Sequence, residues 1–158
     1  MSGSQDHIGL VYPGISRLYY NEDYWPAKIE SSSDNGICDW LSDVLHLVPL
    51  EPRPEGYDPL RVRKLEKPLI RELGEAGEMC WESILKKDII GLGKGLTNTF
   101  LSWKKILPLT IPDWIMEEME TKYFPVYPGA ITSGSGGGYI IVVSEKEVVG
   151  SIKIKVRY

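Results

Sequence analysis

Cysteine is scarce in this chain: Cys38 and Cys80 are the only two among 158 residues, and no Cys-x-x-Cys pair occurs. Histidine is equally scarce, with His7 and His46 alone. Neither a disulfide framework nor a metal site is therefore indicated, and a reducing cytoplasm is the expected setting. Charge of one sign is nowhere concentrated. Lys and Arg total 18 against 22 Asp and Glu, a net charge of −4, and no basic block is long enough to follow a nucleic-acid backbone or an anionic membrane surface. Long apolar runs are missing as well. The first residues, Met-Ser-Gly-Ser-Gln-Asp-His, have neither a basic n-region nor an apolar h-region, so no export leader or membrane span is expected.

What remains is an ordinary globular composition, 42% hydrophobic and 25% charged, with one conspicuous bias. Residues 129 to 138 read Gly-Ala-Ile-Thr-Ser-Gly-Ser-Gly-Gly-Gly, and an apolar run from Tyr139 to Val143 follows. Glycine lacks a Cβ, reaches positive φ freely and costs the most entropy to fix. Such a loop before a buried strand serves as a tight turn, as an anion cradle of backbone N–H groups, or as a plain flexible connection.

Three zones flank that loop. Alternating β-branched, aromatic and polar residues around Pro13-Gly14, Asn21-Glu22-Asp23 and Asp34-Asn35-Gly36 predict strands near 14 to 20, 25 to 31 and 44 to 50. One or two helical turns fit at 37 to 43, and the prolines at 51 to 59 make that stretch a loop. From 60 to 124 the pattern is helical. Leu65, Leu69, Leu73, Ala76, Cys80, Ile84 and Leu85 recur every three or four residues and predict a long helix ending near Ile90, broken by Gly91-Leu92-Gly93. A second helix carries Leu96, Phe100, Trp103 and Leu107 and closes at Pro108; a third starts at Pro112-Asp113 and runs to about Lys122. Strands are expected again at 129 to 132, 138 to 144 and 151 to 157. This order predicts an α+β fold, a mostly antiparallel sheet with helices on one face. Tyr19, Tyr20, Tyr24, Trp25 and Trp40 fit cross-strand packing better than ligand stacking. His46 is expected on the less buried face of its strand, and His7 at the surface.

The glycine-rich decapeptide resembles the C-terminal motif of the GHMP kinases, usually Gly-Ala-Lys-Leu-Ser-Gly-Ala-Gly-Gly-Gly-Gly, with Ile131 for the lysine, Ser135 for the alanine and Tyr139 for a small residue. Asp88-Ile89-Ile90-Gly91-Leu92-Gly93-Lys94 resembles the family's Asp, apolar, apolar, Leu-Gly-x-Leu-Met segment. Pro112-Asp113 resembles its Ser-Thr-Pro-Glu helix start. Gly3-Ser4-Gln5-Asp6-His7 looks like the Gly-x-Gln-Asp-Gln motif of the sugar-kinase branch, with His7 in place of glutamine. Leu47 to Arg53 matches the family's strand and Thr-Gly-x-x-Arg loop only at Arg53, for which a surface ion pair is the simpler role.

The resemblance covers nearly the whole chain and implies a ferredoxin-like GHMP C-terminal domain at residues 60 to 158, preceded at 1 to 59 by a remnant of the kinase N-terminal domain. Asp6 would be the catalytic carboxylate, orienting a sugar hydroxyl and accepting its proton during phosphoryl transfer; otherwise it is a solvated residue or a helix cap. Gly134, Ser135, Gly136 and Gly137 would contact substrate or the nucleotide loop. ATP and Mg²⁺ are the cofactors implied for the parent enzyme, and a sugar or sugar phosphate of galactose or heptose type its substrate. The family's Pro-x-x-x-Gly-Leu-Gly-Ser-Ser-Ala phosphate loop does not occur in these 158 residues. The chain alone is thus expected to be inactive and to bind ATP weakly, completed by a missing N-terminal half. The alternative is a freestanding module that binds or homodimerises without catalysis.

Overall fold

Asp88 decides where the helical run divides. The computed structural model describes residues 4–51, 58–134 and 138–157. Within it, helix α3 spans Lys67–Lys86 and helix α4 spans Ile89–Ile106. Lys87 takes a left-handed conformation at φ 53°, and the Asp88 amide reaches back to Ser83 O at 2.8 Å, closing α3. Asp88 Oδ1 then accepts the amides of Ile90 and Gly91, each at 3.1 Å, and opens α4. The break expected at Gly91-Leu92-Gly93 therefore lies a few residues earlier. These glycines sit inside α4 because an N-cap with two accepted hydrogen bonds outweighs their weak helix propensity.

Their purpose is close approach. A Cβ on Gly93 would stand 2.3 Å from the carbonyl carbon of Pro128, and one on Gly129 would stand 1.9 Å from Gly93 O. On the other side of α4, a Cβ on Gly95 would fall 2.6 Å from Cys80 Sγ, and one on Gly91 would fall 2.3 Å from Ser83 Oγ. Gly91 and Gly95 thus admit α3, while Gly93 admits the strand β4 (Gly129–Thr132). The amide of Ala130 also donates to Thr97 Oγ1 at 3.4 Å, so main chain and side chain of α4 both hold β4.

The chain separates into two compact units, Met1–Asp43 with Lys155–Tyr158, and Val44–Ile154. In the second, β3 (Leu45–Pro49), β4, β5 (Tyr139–Val143) and β6 (Ile152–Lys153) form an antiparallel sheet of order β4-β5-β3-β6. Strand β3, grouped above with the N-terminal strands, belongs here and lies between β5 and β6. One face of the sheet meets the helices. Ala130, Ile140 and Val142 pack with Phe100 of α4, with Ile115 of α5 (Asp113–Glu118) and with Met119, which begins a π-helical turn, Met119–Tyr123. On the opposite face the register aligns Ile131, Ile141, Leu47 and Ile152 in one row across all four strands. The α+β class with an antiparallel sheet is thus observed. The last strand is only two residues long, shorter than the expected 151 to 157.

His46 contradicts its expected place. It is 1% exposed, on the helix-covered face opposite Val142, because β3 is an interior strand. Its Nε2 lies 3.2 Å from the Ser144 carbonyl, which can only accept, so Nε2 carries the proton and Nδ1 accepts from the Ser151 hydroxyl at 3.2 Å. Burial, with Lys153 adding to it, lowers the pKa of this imidazole.

The first unit holds α1 (Ser4–Val11), an antiparallel hairpin of β1 (Ile15–Tyr19) and β2 (Lys28–Ser32), and α2 (Asn35–Val44). Its residues pair with the chain's last segment: Gly14 N–H with Arg157 O at 2.5 Å, and Val156 N–H with Ser42 Oγ at 3.0 Å. The aromatic set does not form a core here. Strand β1 ends at Tyr19, so Tyr20, Tyr24 and Trp25 fall in the hairpin connection and are exposed, Trp25 by 57%. Among the described residues, no helix is long and apolar enough to cross a membrane.

The glycines make a graded prediction. Gly93→Ala is expected to cost about 3 kcal/mol through main-chain overlap, whereas Gly77→Ala in α3, where a Cβ meets nothing within 4 Å, should stabilise by about 0.5–1 kcal/mol. Urea midpoints of the two variants check both signs.

Candidate functional site

The glycine loop is built on two strands and on two positions whose backbone favours glycine. Strands β4 and β5 pair in register from Gly129↔Val143 to Thr132↔Ile140, and the Ser133 amide then donates to Tyr139 O at 2.9 Å. Gly134 follows at φ +69°, and Gly138 re-enters β5 at φ +87°, both in the region where L side chains are strained. Ser135, Gly136 and Gly137, expected to touch substrate or nucleotide, lie outside the described residues, as does Arg53. The loop's return is anchored on β3: Leu50 N–H donates to Gly138 O at 2.8 Å, and Gly138 N–H to Glu51 O at 3.4 Å.

This anchoring continues the loop into a groove of about 590 Å³. Leu50 and Glu51 form one wall, and Trp114, Glu118, Lys122 and Tyr123 form the other. The sequence predicts that third helix but not its use. Trp114, Glu118 and Lys122 recur every four residues, so they share the helix face turned toward β3. At Met119–Tyr123 the helix widens, with Phe124 N–H donating to Met119 O at 2.8 Å, and π-turns of this kind are frequent at functional sites. Glu118 holds the Lys122 ammonium in an ion pair and raises its pKa, and burial raises that of the Tyr123 phenol. The signal for this groove was available in the i, i+4 spacing of aromatic, acidic and basic residues; only its pairing with the end of β3 was not.

Asp6 lies in the first turn of α1, where the helix dipole favours a carboxylate. Its side chain is exposed, while Ser4 and Ile8 face inward and Ser4 Oγ bonds the Tyr20 hydroxyl at 2.8 Å. Asp6 belongs to the first compact unit and Gly134 to the second. His7 is exposed, as expected.

A second cluster of charge sits on the hairpin of the first unit. Glu30 receives Lys28 Nζ at 2.5 Å, the Arg17 guanidinium at 2.5 and 3.0 Å, and the Tyr19 hydroxyl at 2.9 Å. The bonds from Lys28, then Arg17 and Tyr19, lower its pKa to about 2. All four residues point from one face of β1 and β2, and their mutual satisfaction marks them as a structural clamp. Cys80 is equally spoken for: packed beneath Gly95, its thiol is pushed by burial to about 11 and carries little thiolate at neutral pH. Among the described residues no three His, Cys, Asp or Glu side chains converge to hold a metal ion.

Comparison with protein families, with curated proteins and with solved structures finds no match to the chain.

Two outcomes test this geometry. Gly138→Ala meets no atom within 4 Å yet must hold positive φ, so a loss of about 1–2 kcal/mol is expected from conformation alone; thermal melts read it directly. For Glu30 the folded pKa lies below the unfolded one, so its contribution is present above about pH 4.5 and is lost as pH falls toward 2. Wild type should exceed Glu30→Gln in urea midpoint at pH 6, with the gap closing between pH 4.5 and 2.

Proposed function

We propose that this chain is the C-terminal portion of an ATP-dependent GHMP-type sugar kinase, with the antiparallel sheet and α3 to α5 as a ferredoxin-like C-terminal domain. One observation carries the reading. The segments that resemble the family's motifs are far apart in sequence, yet Gly93 of the Asp88 segment and Gly129 of the glycine-rich segment touch main chain to main chain. The helix that starts after Pro112 sends Ile115 into the same core as Ala130. A glycine pattern selected only for flexibility would have no reason to interlock in this way.

Under this reading Asp6 orients the acceptor hydroxyl and takes its proton as the phosphoryl group is transferred. Gly134, with Ser135, Gly136 and Gly137, would contact the substrate or the nucleotide loop. ATP and Mg²⁺ belong to the complete enzyme, and the described residues do not fit them. Gly91 to Gly95 lie inside α4, where their amides from the second turn onward are spent on the helix, and among the described residues no three His, Cys, Asp or Glu side chains converge to hold a cation. The phosphate loop would be supplied by other residues.

The second reading, a non-catalytic module that self-associates, is favoured by the β6 edge, where Val149 and Ile152 are exposed beside a strand of two residues. The two diverge in simple measurements. On the kinase reading, the coding sequence preceding Met1 encodes a Gly-Leu-Gly-Ser-Ser-Ala loop, and the purified 158-residue chain shows no ATP turnover with any hexose. Turnover that Asp6→Asn abolishes would contradict the expected inactivity; the lack of any such loop, together with a stable dimer in sedimentation, would favour the module.

A further inference from the structure

We infer that the groove beside the glycine loop receives the acceptor as an uncharged sugar and discriminates against its phosphate ester; this rests on the kinase reading and narrows its substrate class. The argument begins with Trp114, whose indole remains 42% exposed on the groove wall although the adjacent Ile115 is buried in the core. An exposed indole in a concavity offers an apolar plane to the C–H face of a pyranose. Around it stand hydrogen-bonding groups suited to hydroxyls: the carboxylates of Glu51 and Glu118 accept, and the Tyr123 phenol donates or accepts. The volume of about 590 Å³ falls within the range of small-molecule sites.

Charge then decides between a sugar and a sugar phosphate. Among the described residues the groove lining has two carboxylates and one ammonium, and that ammonium is paired with Glu118. Among the described lining residues a phosphate dianion entering here would meet no cation other than the paired Lys122, and it would face Glu51 directly. A neutral polyol meets no such opposition. Position supports the same use, because Leu50 and Glu51 bind Gly138 through the main chain, making the groove continuous with the loop that the kinase reading sets against the substrate.

The test is binding, measured on the 158-residue chain without nucleotide. Titrations with neutral hexoses and with the corresponding hexose 6-phosphates are followed by NMR at the Trp114 indole N–H and the amides of Tyr123 and Glu51. Neutral hexoses are expected to shift these signals saturably, with the 6-phosphates at least about tenfold weaker, the factor that 1.4 kcal/mol of repulsion gives. Trp114→Ala should abolish the shifts. Glu51→Lys, a change at an exposed position, should reverse the preference in favour of the phosphate, which keeps the inference testable if the tryptophan variant folds poorly. Equal or tighter binding of the 6-phosphates at these signals would overturn the inference while leaving the kinase reading intact. No shift with either ligand class would overturn the groove as a sugar site. Failure of the kinase reading itself would instead appear in the coding sequence preceding Met1.

Discussion

Where α4 crosses β4, two main chains touch with no side chain between them. A Cβ on Gly129 would come within 2.6 Å of Gly93 Cα, so only glycine at both positions permits the crossing. Three glycines in one helix cost roughly 3 kcal/mol of propensity, and the close packing of α4 on both α3 and β4 offsets that cost. The bonds of Asp88 to Ile90 and Gly91 make this affordable by fixing the helix start upstream of its weakest residues.

From that contact the rest of the second unit follows. With β4 held against α4, Ala130 and Ile140 turn toward Phe100 and Met119, and β5 extends the sheet to β3. The ends of β4 and β5 then emerge together, and the chain leaves β4 and enters β5 through positive φ at Gly134 and Gly138, which glycine adopts without strain. Strand β3 ends beside that turn, and α5 with its π-turn lies across from it. Loop and groove are thus consequences of a packing constraint some distance away. The glycine-rich segment has two kinds of glycine: Gly129 serves the core, whereas Gly134 and Gly138 serve the turn.

Much of this was legible in the sequence for identifiable reasons. The helical zone declared itself because Leu69, Leu73, Ala76 and Cys80 keep one face. The strand at 139 to 143 did so because β-branched residues follow a turn signal. The misplaced helix break shows the limit of local rules: glycine reads as a breaker until its partner surface is known, and the partner of Gly93 lies thirty-odd positions downstream. His46 failed for a related reason, since alternation cannot tell an interior strand from an edge strand. The exposed Tyr24 and Trp25 followed from a strand end at Tyr19, where boundaries set by hairpin pairing replace those set by composition. Of the site, the loop and Asp6 were visible as motifs. The groove was not, because it joins β3 to a helix more than sixty residues away.

The account stands on the crossing of α4 and β4, and proton NMR can see it without any substitution. With a 2.6 Å separation between Gly93 Cα and the place a Gly129 Cβ would occupy, the α-protons of the two glycines fall within the range of the nuclear Overhauser effect. A nuclear Overhauser cross-peak between the Gly93 and Gly129 α-protons is the predicted result. Its absence in a folded, well-dispersed spectrum of the chain would contradict the account.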